Sequence, residues 1–365
     1  MTVLTVTIRR WFQAPGSRAR IKRVTNNNKL ARSYVTPWTL RAYEALPGNP
    51  LYTGIGLTMG LLLIFFVGRA IAGDGDNSTP DELRVAITQI LITTYVASAY
   101  AYLLMTARRT TQDLSPVFQH TPRWQTIVDR AGKHPWWLLS LVGAASYLIF
   151  GVYVTNATTP EPANPWAWQA WNYDVTWHRV STVFLVWWSA CLCHATVVES
   201  VRLSRLSDSI ESLDLLELHP YRPLIRQGLI NALLIIGLVS VMSLLGIESR
   251  YWPILVGFWI VFTALAWIGL MLPLRGIRKK IKTAKENELD WCRLSLKTAR
   301  DELKTGAGSQ KSIAELAAYR TIIENVRNWP FDNPTLVRFS LFLLIPLGSW
   351  LGGALVERGV DLFLS

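Results

Sequence analysis

Apolar runs of about twenty residues alternate with short polar or basic connections along most of the chain. Seven such runs are visible, at residues 51–72, 83–107, 136–156, 178–201, 228–246, 252–274 and 335–356. At ~1.5 Å rise per residue, a helix of about twenty residues covers the ~30 Å hydrocarbon core of a bilayer. Backbone polar groups in lipid must be satisfied within the segment, so these runs predict helices. The predicted fold is all-α: a polytopic integral membrane protein with about seven transmembrane helices. The run at 228–246 is the shortest of the seven.

The last run has its own pattern. Pro334 precedes it, in keeping with the preference of proline for a helix start. Pro346 falls in the middle of the run, where it removes one backbone hydrogen bond and predicts a kink. Gly348, Ser349, Gly352 and Gly353 follow, with a Gly-x-x-x-Gly spacing between Gly348 and Gly352 that lets helices approach closely in lipid. A kinked helix with a smooth contact strip suits a gate or an oligomer contact.

Between the sixth and seventh runs the pattern changes. Residues 275–334 break at Thr305-Gly-Ala-Gly-Ser309, a loop signature. Before the break Leu289, Cys292, Leu296, Ala299 and Leu303 keep a 3-4-3-4 spacing, and Leu316, Tyr319, Ile323 and Val326 follow a similar one after it. Each half reads as an amphipathic helix with one narrow apolar seam, and the two together as a cytoplasmic helical hairpin. Only one glycine interrupts Arg275 to Lys280, so the first of these helices is expected to continue from the sixth span. The implied organisation is a basic cytoplasmic segment (1–50), a six-helix transmembrane region (51–274), the hairpin (275–334), and a seventh helix with a short outside terminus (335–365).

Charge sets the orientation. The chain carries 37 Lys and Arg against 25 Asp and Glu, a net +12. Of the 37, 32 fall within residues 1–50, 108–135, 202–227 and 275–334 or, as Arg338, just inside the last run. The alternate connections hold almost none, and residues 73–82 carry four acids and no base. This positive-inside pattern predicts a cytoplasmic N-terminus and an outside C-terminus, in a plasma or inner membrane. Basic residues interleaved with aromatics at 1–50 would suit single-stranded nucleic acid in a soluble protein. With a membrane span starting at residue 51, the expected partner of that segment is anionic lipid, and nucleic acid is not expected. The mean hydropathy of +0.23 and 17 tryptophans, many flanking the apolar runs, agree with a bilayer environment. Three cysteines exclude a disulfide framework.

Candidate chemistry is sparse. Cys191, Cys193 and His194 are close in sequence, but a helix turns Cys193 away from the other two, and a tetrahedral metal site needs about four convergent ligands. His178 and His194 stand near opposite ends of one run, which does not suit paired haem ligation. Glu199 with Arg202 reads as an ion pair at the inner membrane edge. The residue pattern contains no phosphate-binding glycine loop and no hydrolase constellation, so neither an enzyme nor a cofactor is expected. Trp166, Trp168 and Trp171, in a Pro- and Trp-rich connection, together with Gln89, Thr93 and Tyr95 of the second run, form the candidate ligand vestibule. The candidate pore or gate is Pro346, Gly348, Ser349, Gly352 and Gly353. The expected function is a self-assembling, channel-like or receptor-like protein, since conduction through mildly polar linings needs no central charge. The alternatives are a passive transporter of an apolar or amphipathic solute and a non-catalytic scaffold that docks a partner through the hairpin. The layout is similar to that of insect odorant and gustatory receptor channels, which have seven spans, an inside N-terminus and a cytoplasmic helical anchor before the last span. The resemblance covers topology alone, because that family's Thr-Tyr pair in the last helix is absent from residues 335–356.

Overall fold

The computed structural model describes residues 34–46, 49–73, 80–118, 124–151, 173–208, 213–244, 252–305 and 310–326, together with Val337 and Leu341. The elements run in the order β1 (Tyr34–Val35), α1 (Trp38–Ala45), α2 (Pro50–Ala72), α3 (Pro80–Asp113), α4 (Ser115–Phe118), α5 (Trp124–Arg130) and β2 (His134–Pro135). They continue with α6 (Trp136–Ser146) and its π turn (Tyr147–Gly151), α7 (Tyr173–Asp208), a 3-10 turn (His219–Tyr221), α8 (Arg222–Met242), α9 (Trp252–Lys304) and α10 (Gln310–Asn325). Proline stands at the first or second position of α2, α3, α8 and α9, where its fixed φ suits the first turn and its missing N–H costs nothing.

Among the described residues, five helices are long and apolar enough to cross a membrane: α2, α3, α7, α8 with its preceding 3-10 turn, and α9. The third run expected from the sequence yields a shorter apolar helix, Trp136–Gly151, of ~24 Å at 1.5 Å per residue. Of the seventh run only Val337 and Leu341 are described, and the gate residues Pro346, Gly348, Ser349, Gly352 and Gly353 lie outside the described residues.

Four helices make the centre. α7 packs on α3 and α9, and α8 fills the space between α3 and α9. Their shared core includes Val96, Leu103, Leu192, Ala195, Ala232, Ile235, Leu238, Leu270 and Leu274. α2 leans on α3 through small and hydroxyl side chains: Thr58 Oγ1 donates to Thr94 Oγ1 at 2.8 Å. Its other side carries Tyr52, Ile55, Met59, Leu63 and Ile71, all exposed, as a helix facing lipid should.

A second core lies at one end of this bundle. Leu114, Phe118 and Trp124 meet Leu203 and Leu206 of α7, Leu215 and Tyr221 of the connection before α8, Leu224 of α8, and Ile277, Ile281 and Ile323 from α9 and α10. Three of the four connections marked by positive charge in the sequence, 108–135, 202–227 and 275–334, thus converge. They do so because α3, α7 and α9 run on past their apolar windows, to Asp113, Asp208 and Lys304.

α9 is one uninterrupted helix of 53 residues through Pro273, ~80 Å long. α10 lies along its distal half. Lys285 Nζ donates to the carbonyls of Glu324 and Val326, both at 2.7 Å, so a cation closes the end of α10. Tyr319 Oη donates to Glu288 Oε2 at 3.4 Å and its ring meets Trp291 edge-on. Cys292 and Ile323 of the two sequence seams are fully covered, whereas Leu303 at the far end of the first seam is exposed. Burial pushes the Cys292 thiol up, with Glu288 adding to the shift.

Candidate functional site

Two buried polar assemblies share α7, on adjacent residues. The first is neutral and crosses the bundle. Gln227 and Asn231 are one turn apart on α8, and Thr106 and Thr110 are one turn apart on α3. Thr110 Oγ1 donates to Gln227 Oε1 at 3.0 Å. The Gln227 amide donates to Thr106 Oγ1 at 3.3 Å and to Asn231 Oδ1 at 2.8 Å. Asn231 Nδ2 donates to Ser200 Oγ at 3.0 Å, and Ser200 Oγ donates onward to the Gly269 carbonyl at 3.4 Å. All five side chains are buried. Their donors and acceptors alternate without conflict, so the chain is satisfied from end to end.

The Gly269 carbonyl is available for a reason. Its helical donor would be residue 273, and Pro273 has no N–H. Ser200 supplies the missing donor, and Ser207 Oγ bonds the Pro273 carbonyl at 3.1 Å. Two serines of α7, seven residues apart on one face, thus stitch the proline turn of α9. This is how a proline is tolerated in a membrane helix, with a neighbouring helix re-satisfying the freed group.

The second assembly is charged and lies at the end where the connections converge. Glu199 is 1% exposed. Arg202 Nη1 donates to both of its oxygens at 2.9 Å. The Gly132 amide donates to Oε1 at 3.3 Å, and His134 Nε2 lies 3.4 Å from the same oxygen, within charge range but outside hydrogen-bond geometry. The His134 ring meets His194 of α7 edge-on, with centroids 5.3 Å apart. Tyr100 of α3 lies within electrostatic reach of Glu199 and Cys191. Tyr100 Oη, His134 Nδ1 and His194 Nδ1 have no hydrogen-bond partner among the described residues.

The connection carrying His134 is held in place by Arg108. Its Nε donates to the Ala131 carbonyl at 3.3 Å, Nη1 to Glu44 at 2.6 Å and Nη2 to Thr36 Oγ1 at 3.1 Å. Gly132 takes φ +64°, and a Cβ there would come 2.9 Å from Arg108 Nε, so only glycine suits that turn. The two-residue ladder Val35↔His134 and Tyr34↔Pro135, and Arg130 over the Tyr34 ring, tie the start of the described chain to the same place. Glu199 is therefore a buried hub and not a solvated edge pair, and removing one partner of such a group is costly.

Of the vestibule residues of the second run, Gln89 and Tyr95 bond to other helices and Thr93 to its own. Gln89 Nε2 donates to Thr182 Oγ1 at 2.7 Å and to the His178 carbonyl at 3.1 Å, while Gln89 Oε1 pairs with His178 Nδ1 at 2.8 Å. Thr93 Oγ1 donates back to the Gln89 carbonyl. Tyr95 faces α8 instead, donating to the Leu234 carbonyl at 2.8 Å. Trp166, Trp168 and Trp171 lie outside the described residues. Cys191, Cys193 and Cys292 are free thiols, and among the described residues no three His, Cys, Asp or Glu side chains are arranged to hold a metal ion.

Sequence reading passed over Gln227, Thr106, Thr110 and Ser200. The signal was there, as the i, i+4 pairs Thr106/Thr110 and Gln227/Asn231. Placing the span edges at residues 107 and 228 cut both pairs in two. His134 carried no local signal, because its partner lies 65 residues away on another helix. Searches against protein-family models, curated proteins and solved structures returned no match for this chain.

Proposed function

We propose that this multi-pass membrane protein is a self-assembling, channel-like or receptor-like protein gated at its last helix. In this reading the chain crosses the membrane seven times, with its N-terminus cytoplasmic and its C-terminus outside. The distal half of α9 and α10 form the cytoplasmic hairpin. Pro346 is the hinge, and Gly348, Ser349, Gly352 and Gly353 are the contact strip. The observation that carries the reading is the α9–α10 arm. Beyond the apolar window it exposes Trp291, Leu294 and Ile322, each more than half open. Large apolar side chains exposed on an arm outside the membrane suit a contact between copies. The amide side chains Gln89, Gln227 and Asn231 of the described bundle support it too, because they bond across helices to hydroxyls. A conducting path then belongs at a contact between copies and not inside one copy.

The test has two readouts. The purified protein is expected to run as a defined oligomer in mild detergent, and Leu294→Glu with Ile322→Glu to dissociate it. Proteoliposomes are expected to pass ions, and Pro346→Ala to change that flux while leaving expression intact. A monomer with no ion flux would end the proposal. Transport of an apolar solute without ion flux would move the assignment to a passive carrier. A scaffold is the second reading. It is favoured by a groove of about 540 Å³ on the same arm, lined by Glu288, Trp291, Glu315, Leu316 and Tyr319. Loss of a co-purifying partner on deleting residues 279–327 would support it.

A further inference from the structure

We propose that the outward face of α9, where the helix leaves its apolar window, is a docking site for the headgroup of an acidic phospholipid. α9 keeps one strip uncovered along its length. In the apolar half that strip carries Ile260, Val261, Ala264, Trp267 and Ile268, all exposed. Arg275 follows seven residues after Ile268, then Arg278, Lys279 and Lys282, all exposed. At 3.6 residues per turn these positions continue the same strip. One face of one continuous helix thus changes from apolar to cationic within about two turns.

The rotation of the helix at this level is set from behind. Ile277 and Ile281 are fully covered in the second core. A Cβ on Gly276 would come 2.5 Å from the Ser207 Cβ of α7, so the backbones are close-packed there. The basic strip therefore cannot roll inward. Residues 275–285 hold six cations and no acid. One ion pair among them, Lys282 with Glu286 at 3.7 Å, is well exposed on both sides and of little worth. α8 adds two exposed cations, Arg222 and Arg226. It runs opposite to α9, with Gly228 against the Leu270 carbonyl and Asn231 against Gly269, which brings Arg226 and Arg222 level with the start of the basic strip.

A partner for this surface needs a long apolar body and an anionic end on the same side, separated by the ~10 Å of helix between Ile268 and Arg275. A phospholipid has that form. Its acyl chains follow Ile260, Ala264 and Ile268, and its phosphate and acidic headgroup meet Arg275, Arg278 and Lys279 in the interfacial zone. Each cation near a charged bilayer surface contributes about fivefold in affinity, so four set a large preference for acidic over zwitterionic lipid. A soluble polyanion would match the basic half alone. The inference rests on α9 crossing a bilayer, and it is independent of the gate assigned to the last helix.

The experiment uses the full-length protein, stripped of lipid in mild detergent and offered phosphatidylglycerol or phosphatidylcholine, with bound lipid counted by native mass spectrometry. The wild type is expected to prefer phosphatidylglycerol by at least about tenfold, a ratio the four cations readily supply. Arg275→Gln/Arg278→Gln/Lys279→Gln/Lys282→Gln is expected to lose that preference. Arg275→Lys/Arg278→Lys, which keeps the charge, is expected to retain it. Arg293→Gln/Lys297→Gln/Arg300→Gln, farther along the same helix, is expected to retain it too. Retention of the wild-type preference by the four-site variant, equal loss in the distal control, or release of the lipid by excess inorganic phosphate would each overturn the assignment. Should the four-site variant fail to fold, Arg275→Gln/Lys279→Gln with a salt titration of the wild type takes its place. A preference indifferent to both would overturn the assignment equally.

Discussion

Glu199 and Ser200 are neighbours on α7, yet their side chains enter buried assemblies of opposite kind. Ser200 joins a neutral chain in which donors and acceptors alternate from Thr110 to the Gly269 carbonyl. Glu199 joins a charged cluster in which one carboxylate serves Arg202, the Gly132 amide and the His134 ring. The neutral chain ties four helices together where lipid offers no hydrophobic drive between them, so polar bonds and close packing hold the bundle. The charged cluster does something different. It fastens the connection before α6, and through Arg108 the first described segment, onto the end of the bundle. Polarity in this bundle thus serves to fasten helices and connections, with neutral groups at the centre and charge where the connections meet.

The largest loss of stability is expected at Glu199. Glu199→Ala leaves the half-buried Arg202 without its counter-charge and takes the carboxylate away from the buried His134 ring, at a cost of about 3–5 kcal/mol. Thermal unfolding in detergent should show it as the most destabilising single change, and a wild-type melting point would remove the hub. Asn231→Leu comes next. It takes one bond each from the Gln227 amide and from Ser200, at about 1–3 kcal/mol, read by the same melting experiment. A smaller and sharper effect is the coupling between Ser200 and Pro273. Ser200→Ala alone should cost about 1 kcal/mol, the worth of a typical hydrogen bond. In Pro273→Ala the new N–H can satisfy the Gly269 carbonyl, so Ser200→Ala should cost less in that background. Strict additivity in this double-mutant cycle would show that the serine does not serve the proline turn. The smallest change is expected on the arm. Arg320→Gln breaks an exposed pair with Glu324 one turn away and should shift stability by no more than about 0.5 kcal/mol.

Much of the architecture was legible from residue pattern. The runs at 51–72, 83–107, 178–201, 228–246 and 252–274 each correspond to a membrane-length helix, with edges moved by a few residues at most starts. The continuation of the sixth run into a long helix followed from the absence, between Arg275 and Lys280, of any break stronger than Gly276. The ends of α3 and α7 were less legible. Hydropathy marks where lipid stops, and these helices continue because Leu114, Leu203 and Leu206 find a second core beyond it. The polar assemblies were the least legible. Asn231 stood out as polar within a run, but its meaning depends on Gln227, Ser200 and Gly269, which come from three helices.

By itself, the order of apolar and charged residues determined that this is a helical membrane protein, where most of its long helices lie, and which connections share a side. Those properties follow from local rules: helix length against bilayer thickness, and the energy of placing cations across it. Only the tertiary structure decided that Glu199 is a hub and not an edge pair, that Ser200 compensates Pro273, and that the basic strip of α9 faces outward in line with its apolar one. Each of these depends on which faces of separate helices meet. Side-chain packing across distant segments sets that choice, and no single segment encodes it.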